Sequence, residues 1–289
     1  MDKVIFDCDN TMGIPFKEVD DGLTILYLLG EPGLELLGVT TTFGNGTIEQ
    51  VFPQTRKLIH HLGLKIPVIA GEGSCGQAPD TDAAKYLVEM VNQHPHEISL
   101  LATGPLGNLH AAAKLDPSFF QKVRRVVCMG GYLEPVILGR RNLGELNLSA
   151  NPEASLNVLS APCPVTLFPA QVCLDAPYRL KDIRQARFWP YWFKVTLFQW
   201  LATFGFHTGE MTIYLWDLLP AVFLTAPEIF SFEEYPLLSS LSDMQEGVLI
   251  KSPSGLGPVI SLATTIKDRP GFYEQLETAW RRAIISYSF

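Results

Sequence analysis

In KVIFDCDNTMG, residues 3–13, a short β-branched apolar run ends in an acidic turn. Similar apolar runs alternate with helix-length amphipathic segments through about the first 170 residues. This alternation is typical of βαβ units, so it predicts an α/β fold with an open, mainly parallel central sheet flanked by helices. The predicted strands are residues 3–6, 34–41, 66–70, 98–102, 123–128 and 163–168.

Polar or glycine-containing turns follow several of these strands: FDCDN at 6–10, TTFGNG at 41–46, ATGPLGN at 102–108 and MGGY at 129–132. Since the carboxyl ends of parallel strands share one edge of a Rossmann-like sheet, these turns should meet at one ligand crevice. A dense aromatic segment, residues 187–230, reads as helical and predicts either a core layer or a cap over that crevice. Two further strands, 247–250 and 258–262, and a helix from Gly271 to about Ser286 complete one predicted domain spanning 1–289.

Composition narrows the classes of function. The chain is 47% hydrophobic and carries a net charge of -8, with its basic residues scattered, which argues against a nucleic-acid partner. No apolar run approaches the length of a membrane span, and five widely spaced cysteines without a CxxC pair indicate reduced thiols. We therefore expect a cytoplasmic protein with no membrane association.

Four aspartates, Asp7, Asp9, Asp20 and Asp21, fall within fifteen residues. Carboxylates gathered at the mouth of a sheet repel one another unless a cation neutralises them. Oxygen-only ligands favour a hard ion such as calcium or magnesium.

Two enzyme classes place such a cluster here. VIFDCDNTMG at 4–13 fits the strand-DxDxT signature of the haloacid dehalogenase phosphatases, in which Asp7 would be the nucleophile. Those enzymes also carry a late GDxxxD-type motif, which is missing from this sequence because Asp175, Asp217 and Asp243 stand alone.

DCDNTMGIPFKEVDDG at 7–22 resembles the N-terminal DxDxGxDD signature of the inosine-uridine nucleoside hydrolases, with a longer loop between the aspartate pairs. Further resemblances follow in that family's order along nearly the whole chain: GVTTTFGN at 38–45, LLATGPLGNLHAAAKLDP at 100–117, VVCMGG at 126–131, ELN at 145–147, NPEAS at 151–155 and WDLLPAVFLTAPEIF at 216–230. The resemblance implies hydrolysis of the N-glycosidic bond of a ribonucleoside to ribose and free base.

The resemblance also implies residue roles. Calcium would be bound by Asp9, Asp21, Asp217 and the Thr103 carbonyl, with Asp7 supporting the ligands, and Asp9 would activate a calcium-bound water. The positions implied for ribose binding are Asp20, Asn45, Met129, Glu145 and Asn147.

The residues expected to contact the departing base differ from those of the family. Much of the family has a histidine before the last metal aspartate, whereas this chain has Trp216. The sequence leaves five candidates to contact the base: Trp189, Trp192, His207, Tyr214 and Trp216. The missing histidine also leaves open a catalytically silent nucleoside or sugar binder. By resemblance, the partners are a small-molecule nucleoside and further copies of the chain in a homo-oligomer, a dimer or tetramer.

Overall fold

The computed structural model describes residues 1–139 and 141–287. Its strands are β1 (Asp2–Cys8), β2 (Leu34–Thr41), β3 (Val68–Ala70), β4 (Ile98–Ala102), β5 (Arg125–Met129), β6 (Ile137–Leu138), β7 (Arg141–Asn142), β8 (Val165–Phe168), β9 (Pro177–Arg179), β10 (Thr212–Tyr214), β11 (Phe230–Pro236) and β12 (Val259–Ile266). Its helices are α1 (Asp20–Gly30), α2 (Ile48–His61), α3 (Asp82–Gln93), α4 (Gly107–Leu115), α5 (Phe119–Lys122), α6 (Pro152–Leu159), α7 (Ala170–Cys173), α8 (Leu180–Gln185), α9 (Tyr191–Thr208), α10 (Leu218–Phe223), α11 (Leu241–Gln245) and α12 (Arg269–Ser286).

Eight of these strands form one sheet in the order β11-β12-β8-β5-β4-β1-β2-β3. All neighbours in it are parallel except β11 and β12, which pair antiparallel. The chain builds outward from β1 through β2 to β3, then returns to the other side of β1 with β4. The switch point of the sheet therefore lies between β1 and β4, where open α/β sheets bind their ligands.

Both faces of the sheet are covered, as a mainly parallel sheet requires. Val4 and Phe6 of β1 point into one buried apolar cluster, and Ile5 between them points into the other. Helix α12 fixes α1 on the first face, because the Trp280 indole N–H donates to the Leu23 carbonyl at 2.9 Å.

The predicted α/β fold is confirmed, including the aromatic helical layer, which corresponds mainly to α9. The predicted strands 34–41 and 98–102 match β2 and β4, and the predicted last helix corresponds to α12. The strand predicted at 247–250 is wrong: Val248 makes a single bridge to Tyr132 and no ladder follows it. The sequence reading also missed β11, the antiparallel edge strand.

The structure describes no helix that is both long and apolar enough to cross a bilayer.

Candidate active site

Five buried aspartates meet at the carboxyl end of the sheet. Asp7 is the penultimate residue of β1 and Asp9 follows the strand, whereas Asp20 and Asp21 open α1 and Asp217 is the N-cap of α10. Each of the five is at most 4% exposed. The two helix N-termini favour negative charge through their dipoles, but that effect is small beside the cost of burying several carboxylates together.

Asp7 is held from the side of the sheet. Its Oδ1 accepts hydrogen bonds from Thr40 Oγ1 at 2.5 Å and from Asn108 Nδ2 at 2.7 Å, while its buried Oδ2 has no partner among residues 1–139 and 141–287. The Asn108 Oδ1 in turn accepts from the Glu72 backbone N–H at 2.8 Å. These hydrogen bonds therefore anchor Asp7 to β2 and α4.

Asp9 is bound by the loop that follows β2. The backbone N–H of Asn45 donates to Asp9 Oδ2, and the Asn45 side-chain amide lies 3.5 Å from Oδ1. Gly44 makes this approach possible because it adopts φ +156°, and a Cβ there would lie 2.0 Å from Asp9 Oδ2. The TTFGNG turn thus positions the carboxylate that the sequence predicted as the base.

The other carboxylates form close pairs. Asp21 Oδ1 accepts from Thr103 Oγ1 at 2.6 Å, and its carboxyl group contacts that of Asp9. Asp20 similarly contacts Asp217, and its buried Oδ2 receives no hydrogen bond from the described residues. Carboxyl groups in such contact must share a proton or a cation, because two negative charges at this separation repel strongly.

Burial raises the pKa of every carboxyl group in this cluster. The pKa of Asp9 rises to about 6, and those of Asp7 and Asp20 rise to about 7. Burial, followed by repulsion from the neighbouring carboxylates, raises the pKa values of Asp21 and Asp217 well above the ordinary value. The fold therefore supplies a concentration of negative charge that it does not itself neutralise.

Glu18 adds a sixth carboxyl group, partly buried, that the sequence reading missed. Burial, and then the charges of Asp20 and Asp9, raise its pKa well above the ordinary value. Lys17 offsets this rise only in part, and its ammonium donates to the Asn45 carbonyl at 2.7 Å. None of the ion pairs in residues 1–139 and 141–287 includes any of the six carboxylates.

The donor set fits a hard divalent cation in its chemistry, since it consists of oxygens alone. As the side chains stand, no three His, Cys, Asp or Glu residues of the described chain are arranged as a metal-binding group. The uncompensated negative charge of the cluster nonetheless favours a cation, and among the described residues the Oδ2 atoms of Asp7 and Asp20 have no hydrogen-bond partner. Carboxylates rotate readily, and calcium accepts flexible geometry.

A cavity of about 210 Å³ opens beside the cluster. One side of its lining is polar and mainly acidic: Glu18, Asp20, Asn45, Thr103, Glu145, Asn147 and Asp217. The other side is apolar and includes Met129, Tyr132, Val136, Leu143, Trp200, Phe204 and Trp216. Asp9 and Asp21 lie beneath Asn45 and Thr103, outside this lining. The residues predicted for ribose binding therefore all line one cavity.

Two of these predicted ribose residues are tied to the backbone. The Asn147 amide donates to the carbonyls of Thr103 and Met129 at 2.9 and 3.1 Å. The Glu145 carboxylate accepts from the backbone N–H groups of Gly131, Leu148 and Ser149, at 3.0, 2.9 and 2.7 Å. Glu145 thus braces the cavity wall, and Asn147 joins the ends of β4 and β5.

The structure separates the five residues predicted to contact the base. Trp216 lines the cavity, and Tyr214 packs behind it with ring centroids 5.2 Å apart. Trp189 is a core residue whose indole N–H donates to the Tyr178 hydroxyl at 3.2 Å, and Trp192 packs against the core and His61. His207 is exposed, is bonded to the Thr203 carbonyl at 2.8 Å and is not one of the residues that line the cavity.

Sequence reasoning missed Trp200, Phe204 and Tyr132. Trp200 and Phe204 are four residues apart on α9, so they share one face of that helix, and this i, i+4 spacing was the available signal. It did not suffice, because apolar residues occur on every side of α9.

Comparison with known proteins adds independent information. The family model described as "Inosine-uridine preferring nucleoside hydrolase" matches residues 4–266. A "Probable uridine nucleosidase 1" from Oryza sativa subsp. japonica is 30% identical over 273 residues, covering 81% of this chain and 79% of that protein. A "Pyrimidine-specific ribonucleoside hydrolase RihB" from Escherichia coli (strain SE11) is 27% identical over 194 residues, covering 57% of this chain and 58% of that protein.

Solved structures show the same fold. The "Purine-Preferring Ribonucleoside Hydrolase from Gardnerella vaginalis" superposes with a TM-score of 0.83 at 23% identity, covering 98% of this chain and 99% of that one. The "Plant nucleoside hydrolase - PpNRh1 enzyme" gives a TM-score of 0.82 at 20% identity, covering 96% and 98%.

Proposed function

This chain belongs to the inosine-uridine preferring nucleoside hydrolase family, enzymes that act on N-glycosidic bonds, and on that premise we propose that it hydrolyses a ribonucleoside to ribose and free base with calcium and with Asp9 as general base. The observation that carries the proposal is the cluster of buried, mutually repelling carboxylates beside a cavity of about 210 Å³. A cavity of this kind suits a small polar ligand with one apolar end.

The calcium ligands in this proposal are Asp9, Asp21, Asp217 and the Thr103 carbonyl. Calcium, when bound, would supply positive charge that offsets these carboxylates, would hold ribose hydroxyls and would lower the pKa of a neighbouring water. The Thr103 carbonyl accepts one hydrogen bond from Asn147 and keeps a second lone pair for this purpose.

Asp9 takes the proton of the attacking water. Asp9 lies in contact with Asp21, another proposed calcium ligand, so a water held by the same ion would lie within reach of its carboxylate. Because Asn45 covers Asp9 on the cavity side, the proposal requires water to reach Asp9 past that residue. The two Asn45 donors fix the orientation of the carboxylate for this step.

Bond breaking at the anomeric carbon develops positive charge on the ribosyl group, as in other glycosidases. Asp20 and Glu18 face the cavity, and a bound cation that keeps their carboxyl groups ionised would let them stabilise that charge from fixed positions. Asn45 and Asn147 provide the cavity's amide groups for the sugar hydroxyls.

The competing dehalogenase-type mechanism finds less support. It needs Asp7 as a nucleophile, yet hydrogen bonds from Thr40 and Asn108 hold Asp7 on the sheet side, and the late GDxxxD-type motif of that class is missing from the sequence. A silent binder remains an outcome of the test.

The test incubates the protein, supplied with calcium, with a panel of standard and modified ribonucleosides and assays free ribose, in parallel with Asp9→Asn. We expect ribose from at least one compound and its loss in the variant. Release of phosphate from a phosphomonoester, lost in Asp7→Asn, would favour the phosphatase instead. Binding of a nucleoside without any ribose release would identify a silent binder.

A further inference from the structure

The cavity lining has two chemically different parts, and its aromatic end is built from one apolar cluster. Trp200 and Trp216 are half-buried and keep part of their ring surface toward the cavity, and Phe204 completes the wall between them. Tyr132 lies at the same end, but its hydroxyl donates to the Leu143 carbonyl at 2.5 Å. A planar base would therefore meet ring faces there, with few polar groups to bind its edges.

In the part of the chain that the structure describes, the cavity lining offers no imidazole or ammonium group to protonate a leaving base, and a bound cation would keep its carboxyl groups ionised. Among the described residues, the lining contains no histidine, lysine, arginine or cysteine, and its titratable side chains are Tyr132 and the carboxyl groups of Glu18, Asp20, Glu145 and Asp217. Indole N–H groups can donate a hydrogen bond but do not give up a proton. A neutral base that leaves without a proton departs as an anion, which the surrounding carboxylates disfavour.

Both features suit an aglycone that already carries a positive charge. Aromatic faces attract cations through their quadrupoles, and the acidic side of the cavity adds a long-range attraction of the same sign. We propose that the substrate is an N-riboside of a cationic aromatic heterocycle of the pyridinium type, which leaves as a neutral base. This inference rests on the proposed function and names its substrate class.

The reaction needs no acid. The water oxygen bonds to the anomeric carbon and gives its proton to Asp9, while the C1′–N bond breaks and its electron pair moves to the ring nitrogen. That pair cancels the positive charge of the ring, so the products are ribose, a neutral base and one proton.

The kinetic test compares N-ribosylnicotinamide, a pyridinium riboside, with uridine and inosine in the same free-ribose assay, after subtraction of the rate without enzyme. General acid catalysis contributes on the order of 100-fold or more, so we expect kcat/KM for the neutral nucleosides to be lower by at least about 100-fold. Equal or faster hydrolysis of uridine or inosine overturns this inference and leaves the proposed function standing. Absence of ribose from every compound overturns both.

Because a pyridinium is also an intrinsically better leaving group, recognition is measured separately. The cation 1-methylnicotinamide and neutral nicotinamide share one ring and one amide, and we expect the cation to inhibit on the order of 10-fold more strongly. Trp216→Phe keeps a ring face and should preserve this ratio, whereas Trp216→Leu should reduce it toward one. Phe204→Leu provides a second ring deletion if Trp216→Leu does not fold. Equal inhibition by both compounds in the unmodified protein contradicts the inference.

Discussion

Replacing Asp9 with asparagine should have opposite effects on activity and on the stability of the metal-free protein. The substitution removes one negative charge from the cluster and keeps the shape of the side chain. One of the two hydrogen bonds from Asn45 is lost, because the new amide N–H₂ group cannot accept it.

The magnitude follows from the pKa of Asp9, which the fold raises from 3.8 to about 6. An acid whose pKa is higher in the folded than in the unfolded state destabilises the fold as pH rises through this window, and the full penalty is present above about pH 6. Two pKa units at about 1.4 kcal/mol each amount to roughly 3 kcal/mol, against about 1 kcal/mol for the lost hydrogen bond. The net gain of about 2 kcal/mol corresponds to a Tm higher by roughly 3 °C for a chain of 289 residues, at about 2.1 cal/mol/K of unfolding entropy per residue.

Thermal melts at pH 7.5 in a calcium chelator measure the stability, and free-ribose assays with calcium measure turnover. We expect the higher Tm together with a loss of roughly 100-fold to 10,000-fold in kcat. Asp243→Asn is the matched control, since Asp243 lies outside the cluster, in the capping box of α11, and should keep activity. A lower metal-free Tm in Asp9→Asn, or activity within tenfold of the unmodified protein, would refute this reasoning.

Three further outcomes are expected. Burial raises the pKa values of Asp7 and Asp20 to about 7, so the Tm of the metal-free protein should decrease as the pH is raised from 5 to 8, and saturating calcium should flatten this profile. A Tm that rises over this range contradicts the prediction. Glu145→Gln replaces one of the carboxylate oxygens that accept three backbone N–H groups, so the free energy of unfolding should drop by about 1–3 kcal/mol and KM should rise more than kcat falls. An unchanged KM would argue against the bracing role. Gly44→Ala should lower both Tm and kcat, whereas Gly63→Ala, also at positive φ but with no described atom within 4 Å of its added Cβ, should lower Tm alone. Equal activity in the two variants would show that the close approach of Gly44 to Asp9 is unimportant.

The meeting of the carboxylates could be predicted because β1 is a central strand. A parallel sheet with short connections fixes where its carboxyl ends lie, so Asp7 and Asp9 had to stand at the same edge as Thr103 at the end of β4. Asp217 is more than a hundred residues from these strands, and only the family resemblance placed it in the set.

The aromatic segment shows where sequence reasoning ran out. In α9 the apolar residues surround the helix, so periodicity does not say which face packs on the core and which faces the cavity. Packing settles it: Phe193 and Leu197 are fully buried, whereas Trp200 stays half-buried at the cavity. Glu18 was missed for a related reason, since it lies in the long loop between the two aspartate pairs and only tertiary contacts bring it to Asp20.

Calorimetric titration of calcium into chelator-stripped protein at pH 6.5 addresses the cluster most directly. Because the pKa values of the carboxyl groups are raised, we expect one ion to bind per chain, with release of protons that shows as a dependence of the heat on the buffer. Asp217→Asn should weaken or abolish this binding. Absence of binding heat, or binding that Asp217→Asn leaves unchanged, would mean that the carboxylates do not hold the ion on which the proposed hydrolysis depends.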